Sequence, residues 1–199
     1  YIAQELSKLG YKPGLVSRGY GGKFKETLQV NDETPVKKTG DEAQILAKLN
    51  LPFYIDKNRV RAVKTLVDNH DCDVIISDDG LQHYSMGRDI EIVLIDGKRR
   101  FGNNLTFPAG PLRESTSRLK DVDFIVNNSG PTQDNEYLMN ISPSKFVHLK
   151  TGKSYPIKDW PMHKQVHAVA GLGNPGRFFD LLARLGFDIS RNSFPDHHN

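Results

Sequence analysis

Residues 73–83 read Asp-Val-Ile-Ile-Ser-Asp-Asp-Gly-Leu-Gln-His, and they narrow the choice of fold more than any other stretch. The β-branched run Val74, Ile75, Ile76 suits a strand buried on both faces of a parallel sheet. It ends in two adjacent carboxylates and a glycine. Ligands of open α/β sheets sit beyond the carboxyl ends of the strands. Asp78 and Asp79 are therefore placed to hold a divalent cation, as an aspartate does in phosphate-transferring enzymes. Asp-Asp-Gly equally suits a turn with a helix cap. Gln82 and His83 follow at once and add two polar groups at the same mouth, which favours a site.

Strand, loop and helix recur along the chain. Residues 1–9 carry Ile2, Leu6 and Leu9 at helical spacing, with Gly10 as a stop. Residues 13–17 predict a short strand running into Arg18-Gly19-Tyr20-Gly21-Gly22-Lys23. Glycines there let the backbone approach a ligand closely, and Arg18 and Lys23 suit a phosphate or another anion. A solvated surface loop is the plainer reading of the same residues. Gly40-Asp41-Glu42 opens a helix over 40–47, with its carboxylates in the first turn, where the helix dipole favours them. Residues 51–55 predict a strand and 59–67 a helix. Residues 90–95 predict a strand ending in Asp96-Gly97, and 124–126 a strand ending in Asn127-Asn128. This order argues for an α/β fold with right-handed connections and a mostly parallel sheet.

The connection over 99–114 is long and rich in Pro and Gly, as functional loops often are. Arg99, Arg100 and Arg113 lie along it and Arg118 follows. With Phe101, Leu105 and Phe107 they could meet an anionic, partly apolar ligand, or form a solvated basic face. Residues 129–140 are polar and turn-rich and predict a linker or peripheral loop. A strand over 167–170 and a helix over 178–185 begin a second, α/β domain.

Composition excludes several classes. The 199 residues are 37% hydrophobic and 26% charged, enough for a buried core and unlike a disordered tail. A net charge of +3 argues against a general nucleic-acid binder. Cys72 is the one cysteine, which rules out an internal disulfide and fits a reducing compartment. It reads as a small buried residue before the strand. No run approaches the roughly 18 apolar residues of a spanning helix, and no stretch reads as a signal peptide. Contact with a membrane surface stays open. Helix begins almost at Tyr1 with no initiator Met, and the far end is the polar cluster Asp196-His197-His198-Asn199. The sequence therefore reads as an internal piece of a longer protein.

Gly171, Gly173 and Gly176 match G-x-G-x-x-G after a strand and before a helix, the outline of a dinucleotide fingerprint. Pro175 is unusual inside a phosphate turn, and Asp188 lies too near the glycines for the usual spacing of about 20 residues. A dinucleotide-binding oxidoreductase is accordingly the weakest reading.

Taken in order, four segments resemble the tetraacyldisaccharide 4'-kinases, the lipid A 4'-kinases of Gram-negative bacteria. They are Val16-Ser17-Arg18-Gly19-Tyr20-Gly21-Gly22, Gly40-Asp41-Glu42, Asp78-Asp79-Gly80-Leu81-Gln82-His83, and Phe194-Pro195-Asp196-His197-His198. Asp96-Gly97, Arg100-Phe101-Gly102 and Phe107-Pro108-Ala109-Gly110-Pro111-Leu112-Arg113-Glu114 add to the match. The ordered set spans the chain and is far more specific than any one motif.

The resemblance implies a P-loop kinase core with a RecA-like sheet over 1–150, then a linker and the start of a smaller C-terminal α/β domain over 151–199. It implies transfer of the ATP γ-phosphate, with Mg²⁺, to the 4'-hydroxyl of a tetraacylated glucosamine disaccharide 1-phosphate. The place would be the cytoplasmic face of the inner membrane, by peripheral contact and without nucleic acid. Asp41 matches the family's catalytic aspartate and His197 the histidine paired with it. Such a pair suits the chemistry, because the attacking oxygen needs a positioned proton acceptor and a second group can orient it. The choice of His197 over His198 rests on the motif alignment. Asp78 and Asp79 match the acids that hold Mg²⁺, and Gln82 and His83 match polar residues at the same mouth. Arg18, Tyr20 and Arg113 fall where the anionic substrate or the phosphates would sit, and Glu42 would support Asp41 from behind.

Two departures stand out. Ser115 occupies a position where the family often has proline. More seriously, no G-x-x-x-x-G-K-[ST] occurs, so these residues lack the backbone cradle and the lysine for the β/γ-phosphates. By itself the 199-residue piece is expected to have little or no kinase activity. A non-catalytic nucleotide- or anion-binding module is the alternative that this absence leaves open.

Overall fold

The computed structural model describes residues 1–160 and 162–195. Its order begins with α1 (Ile2–Lys8) and β1 (Pro13–Ser17), followed by β2 (Leu28–Gln29), α2 (Val36–Thr39), α3 (Asp41–Ala47) and β3 (Phe53–Ile55). Every residue of β1 and β3 is buried. The two strands pair in parallel with Leu15 opposite Phe53 and Ser17 opposite Ile55. Then come α4 (Arg59–Asn69) and β4 (Val74–Ser77), which pairs in parallel with the other edge of β1, Val16 opposite Ser77. The short β2 adds to β3 in the antiparallel sense, giving the order β2-β3-β1-β4.

Alternation along these strands feeds two cores. Leu15, Phe53 and Ile55 pack with Ala3 of α1 and with Ala43 and Ala47 of α3. Val16 and Tyr54 meet Ala62 and Leu66 of α4. Burial of a side chain such as Phe53 or Leu66 stabilises the fold by roughly 1.5–3 kcal/mol. At Gly14 α4 packs tightly on the sheet, since a Cβ there would lie 2.6 Å from Leu66 Cδ2 and 2.9 Å from Cys72 Sγ. Cys72 is half-buried, and burial raises its thiol pKa. Asn58 starts α4 by accepting a hydrogen bond from the Arg61 amide at 3.2 Å.

A second, fully parallel sheet holds β5 (Ile92–Asp96), β6 (Phe124–Asn128) and β7 (Glu136–Met139). Among the described residues no pairing joins β4 to β5, so the parallel pairing expected for this region is divided between two sheets. The strand β7 corrects the sequence reading of 129–140 as a linker or peripheral loop. Its register is set by side chains distant in sequence. Glu136 takes a two-pronged ion pair from Arg100 (2.7 and 2.9 Å), and the buried Asn127 donates to it at 2.9 Å. A four-residue strand that begins with a buried carboxylate has no alternation by which to recognise it.

This network is acid-sensitive. The Arg100 hydrogen bonds, aided by the Gln133 amide and Asn127, outweigh the cost of burial and lower the Glu136 pKa from 4.5 to about 2. A depressed carboxylate pKa stabilises the fold above the unfolded value, and that contribution is lost as pH falls from about 4.5 toward 2. Glu136→Gln is expected to lower stability at pH 7 by on the order of 3 kcal/mol, because it leaves Arg100 without its charge partner. It should also flatten the dependence of stability on pH between about 5 and 2. Urea unfolding at several pH values tests this, and an unchanged acid limb would rule out the assignment.

Residues Tyr1–Met139 form one compact unit and the residues from Asn140 onward a second. The second contains a hairpin of β8 (Lys145–Val147) and β9 (Ser154–Pro156), then β10 (Gln165–Ala170), α5 (Pro175–Arg184) and β11 (Asp188–Ser193). The strands β10 and β11 are parallel with α5 between them, a complete βαβ turn. Its core is Ala168, Ala170, Phe179, Leu182 and Phe187.

Candidate active site

The carboxyl ends of β1, β3 and β4 lie side by side, because Ser17 is opposite Ile55 and Val16 opposite Ser77. Three loops therefore leave the sheet at one edge. The Asp78 amide donates to the Val16 carbonyl at 3.0 Å, and Ser17 Oγ donates weakly to Asp78 Oδ2 at 3.4 Å. Asp79 follows with a φ of +47°, a left-handed turn that aspartate tolerates better than most residues. Its carboxylate meets Arg113 Nη1 at 3.0 and 3.1 Å, and the same nitrogen reaches Gln82 Oε1 at 3.3 Å. Thus Arg113, distant in sequence, meets Asp79 and Gln82 in one exposed cluster, and Asp78 stands beside them.

The long connection delivers Arg113. It folds back on itself through Phe107 N–H to Leu112 O (2.8 Å) and Leu112 N–H to Leu105 O (3.2 Å), so Arg113 leaves a fixed base. Arg100 and Arg118 of that region do not join it. Arg100 is spent on Glu136, and Arg118 pairs with Glu91 and, at 3.9 Å, with Glu114. Both are largely buried and paired with carboxylates, so they form neither a solvated basic face nor part of the Asp79–Arg113 cluster.

Two arginines that sequence reasoning passed over shape the site from beneath. Arg59 is only 3% exposed and donates from both terminal nitrogens to the Asp79 carbonyl at 3.3 and 3.4 Å. Burial lowers its pKa, and the charges of Asp79 and Asp78 oppose that shift. Arg88 donates to the carbonyls of Gly80, Leu81 and His83 and pairs with Glu91 at 3.0 Å. It fixes the curve of the Asp-Asp-Gly-Leu-Gln-His segment. The signal for Arg59 was its position as first residue of a helix capped by Asn58, just beyond a strand end, but such a residue is ordinarily solvated.

His83 is half-buried. Burial, then the guanidinium groups of Arg59, Arg88 and Arg18, lower its pKa from 6.5, so the neutral ring dominates at pH 7. Its Nε2 is buried with no hydrogen-bond partner among the described residues. A neutral imidazole can donate to or accept from an incoming ligand.

The glycine-rich loop after β1 packs against the start of α3. Gly40 has a φ of +84°, and a Cβ there would lie 2.0 Å from the Tyr20 carbonyl oxygen. Only glycine fits that contact. The Lys23 amide donates to Lys37 O at 3.0 Å and completes it. Arg18, Tyr20 and Asp41 are thereby on adjoining segments, and all three are exposed. Asp41 Oδ1 accepts from the Glu42 amide at 3.1 Å. His197 and His198 lie outside the described residues.

Among the described residues no group of three or more His, Cys, Asp or Glu gathers as a metal cage. What the edge offers a cation is the Asp78–Asp79 pair. Mg²⁺ keeps several waters and usually takes one or two carboxylates together with substrate phosphates, so such a pair fits it.

The glycines at 171, 173 and 176 do not build a dinucleotide site. The required βαβ unit is present, but Asp188 sits at the amino end of β11, where Gln165 Nε2 donates to it at 3.2 Å. A ribose-binding acid belongs at the carboxyl end, and Asn192 and Ser193 stand there.

The whole chain, residues 1–199, matches the family described as Tetraacyldisaccharide-1-P 4'-kinase. The tetraacyldisaccharide 4'-kinase of Methylobacillus flagellatus is 46% identical over 200 residues, covering 100% of this chain and 60% of its own length. That of Haemophilus influenzae is 43% identical over 202 residues, again covering 60% of its length. Among solved structures, LpxK from Aquifex aeolicus in complex with ATP superposes with a TM-score of 0.78 at 26% identity, covering all of this chain and 65% of the other. The chain thus spans about 60% of the length of the curated relatives it matches.

Proposed function

Since this chain belongs to the tetraacyldisaccharide 4'-kinase family, we propose that the protein transfers the γ-phosphate of ATP to the 4'-hydroxyl of a tetraacylated glucosamine disaccharide 1-phosphate in lipid A synthesis. The observation that carries this reading is the meeting of Asp78, Asp79, Gln82 and Arg113 at one sheet edge, with the Arg18–Tyr20 loop beside Asp41, in a chain that matches the family along its whole length.

Phosphoryl transfer asks the protein mainly for positioning and charge stabilisation. Asp78 would be the direct Mg²⁺ ligand. Asp79, already engaged by Arg113, would set the charge and direction of that edge. Mg²⁺, when bound, would neutralise charge on the ATP phosphates. Arg18, Tyr20 and Arg113 would hold the phosphates or the anionic sugar, and Gln82 and the neutral His83 would hydrogen-bond to them. Asp41 would accept the proton of the attacking hydroxyl, and His197, by the family's pattern, would orient or tune that acceptance. Membrane contact would be peripheral, at the cytoplasmic face of the inner membrane. No helix among the described residues is long and apolar enough to cross a bilayer.

The test is a transfer assay on the full-length protein with radiolabelled ATP, Mg²⁺ and the tetraacyldisaccharide 1-phosphate in detergent micelles. A product phosphorylated at the 4' position is expected. Nucleotide binding without transfer would favour the non-catalytic binding module instead. These 199 residues alone, which contain no G-x-x-x-x-G-K-[ST], are expected to transfer little or none.

A further inference from the structure

In the second unit one surface matches nothing in the phosphate-transfer chemistry. The strands β8 and β9 pair with Phe146 opposite Tyr155 and Val147 opposite Ser154. The tip between them is rigidly turned. The His148 amide donates to Lys153 O at 2.9 Å and the Gly152 amide to His148 O at 2.8 Å, while Thr151 bonds to His148 Nδ1 through its amide (3.2 Å) and its hydroxyl (2.9 Å). This turn holds Leu149 98% exposed. Val147 and Met162 are about half exposed.

Beneath them lies an open, almost wholly apolar cavity of about 380 Å³, lined by Phe146, Val147, Leu149, Tyr155, Trp160 and Met162. The aromatic floor is anchored to the core of the unit by Phe146 against Trp160 (4.6 Å between ring centres) and Phe187 (5.4 Å). Around this patch the chain is strongly basic. From Lys145 to Lys164 there are five lysines and a single acid, Asp159. Lys153 lies over the Tyr155 ring, 5.1 Å from its centre.

A fixed turn that exposes a leucine, above Tyr and Trp and with Lys150 and Lys153 beside it, has the chemistry of a bilayer interface. The leucine enters the acyl boundary, aromatic rings sit at headgroup depth, and lysines reach anionic phosphates. We propose that the β8–β9 hairpin is the element by which this protein docks on an anionic phospholipid membrane, with Leu149 inserted and Lys150 and Lys153 on headgroup phosphates. The partner is the bilayer surface itself, chosen by charge: an acidic surface complements Lys150 and Lys153 in a segment that carries five lysines and one acid, whereas a second copy of this basic segment would repel it. The inference deepens the membrane contact in the reading above but does not need the kinase activity.

Full-length protein is sedimented with vesicles of phosphatidylethanolamine containing phosphatidylglycerol and with vesicles lacking it. Binding to the anionic vesicles, weakened by salt, is expected. Lys150→Glu with Lys153→Glu should weaken it by roughly fivefold or more for each lysine, and Leu149→Asp should weaken it at least tenfold. Transfer activity in detergent micelles, measured on the same variants, should stay at the native level. Native-level vesicle binding by the variants, or equal binding to neutral vesicles, would overturn the proposal. So would a dimer, seen by analytical ultracentrifugation, that Leu149→Asp dissolves. If the protein binds vesicles through the hairpin but transfers no phosphate in micelles, the docking assignment stands and the kinase reading fails.

Discussion

Asp78→Asn in the full-length protein is expected to lower kcat by on the order of 10³-fold while leaving the melting temperature within a degree or two. The size follows from its proposed place as a direct ligand of the cation that neutralises the phosphates. Asparagine keeps the volume and one oxygen but removes the charge, so cation affinity falls with the rate. Stability should hold because the Asp78 side chain is exposed and its hydrogen bond from Ser17 Oγ is a long one, 3.4 Å. The backbone bond from its amide to Val16 O does not depend on the side chain. The measurement is kcat as a function of Mg²⁺ concentration together with a thermal melt. A raised Mg²⁺ requirement with a native melt supports the assignment. Native turnover, or loss of turnover only in step with loss of fold, would remove Asp78 from the cation site.

Asp41→Asn should lower kcat by roughly 10²–10⁴-fold, the usual range for a group that receives the proton in the transition state. The KM for ATP should change little, since Asp41 is assigned to the hydroxyl rather than to the nucleotide. Asparagine can still accept from the Glu42 amide, as Asp41 Oδ1 does at 3.1 Å. The loss of charge in the first turn of α3 costs about 0.3–1 kcal/mol. The sharper readout is the pH–rate profile, whose acidic limb should disappear in the variant. Glu42→Gln serves as the neighbouring control and should retain most of the turnover. If Asp41→Asn kept the native rate and limb, the base would have to be sought elsewhere.

How much of this was legible beforehand depends on the range of the forces involved. The strands β1 and β3 announced themselves because local apolar patterning and burial coincide: 13–17 and 53–55 are buried throughout. The strand β4 forms where its β-branched run predicts it but lies at the edge of its sheet and is only half-buried rather than covered on both faces, and α4 buries Ala62 and Leu66 while Val60 and Val67 stay exposed. The strand β7 did not announce itself, because its reason for existing is Glu136 reaching Arg100 and Asn127 across the sheet. The same nonlocality misleads about charge. Arg99, Arg100, Arg113 and Arg118 look equivalent along the chain, yet Arg113 reaches Asp79 while Arg100 and Arg118 pair with Glu136 and Glu91. Arg59 reads as the solvated start of a helix and lies buried under Asp79. The G-x-G-x-x-G string shows the converse, a local pattern whose meaning depends on which end of β11 carries the acid.

Local patterning and strand-ending acids were enough, by themselves, to indicate an α/β chain with Asp78 and Asp79 as candidate cation ligands, and the ordered motifs carried the resemblance to this kinase family that implied a role for Asp41, because short-range chemistry and spacing are written in the sequence. Only the tertiary structure decided that Arg113 is the arginine at the acidic edge, that the Tyr20 carbonyl presses on Gly40 beside Asp41, that Arg59 and Arg88 hold the loop from below, and that Leu149 stands out among lysines on a fixed turn. The pairings of Arg113 and Arg59 with Asp79 and of Tyr20 with Gly40 join groups 20 or more residues apart, and they are chosen by which charges and carbonyls meet once the sheet has closed.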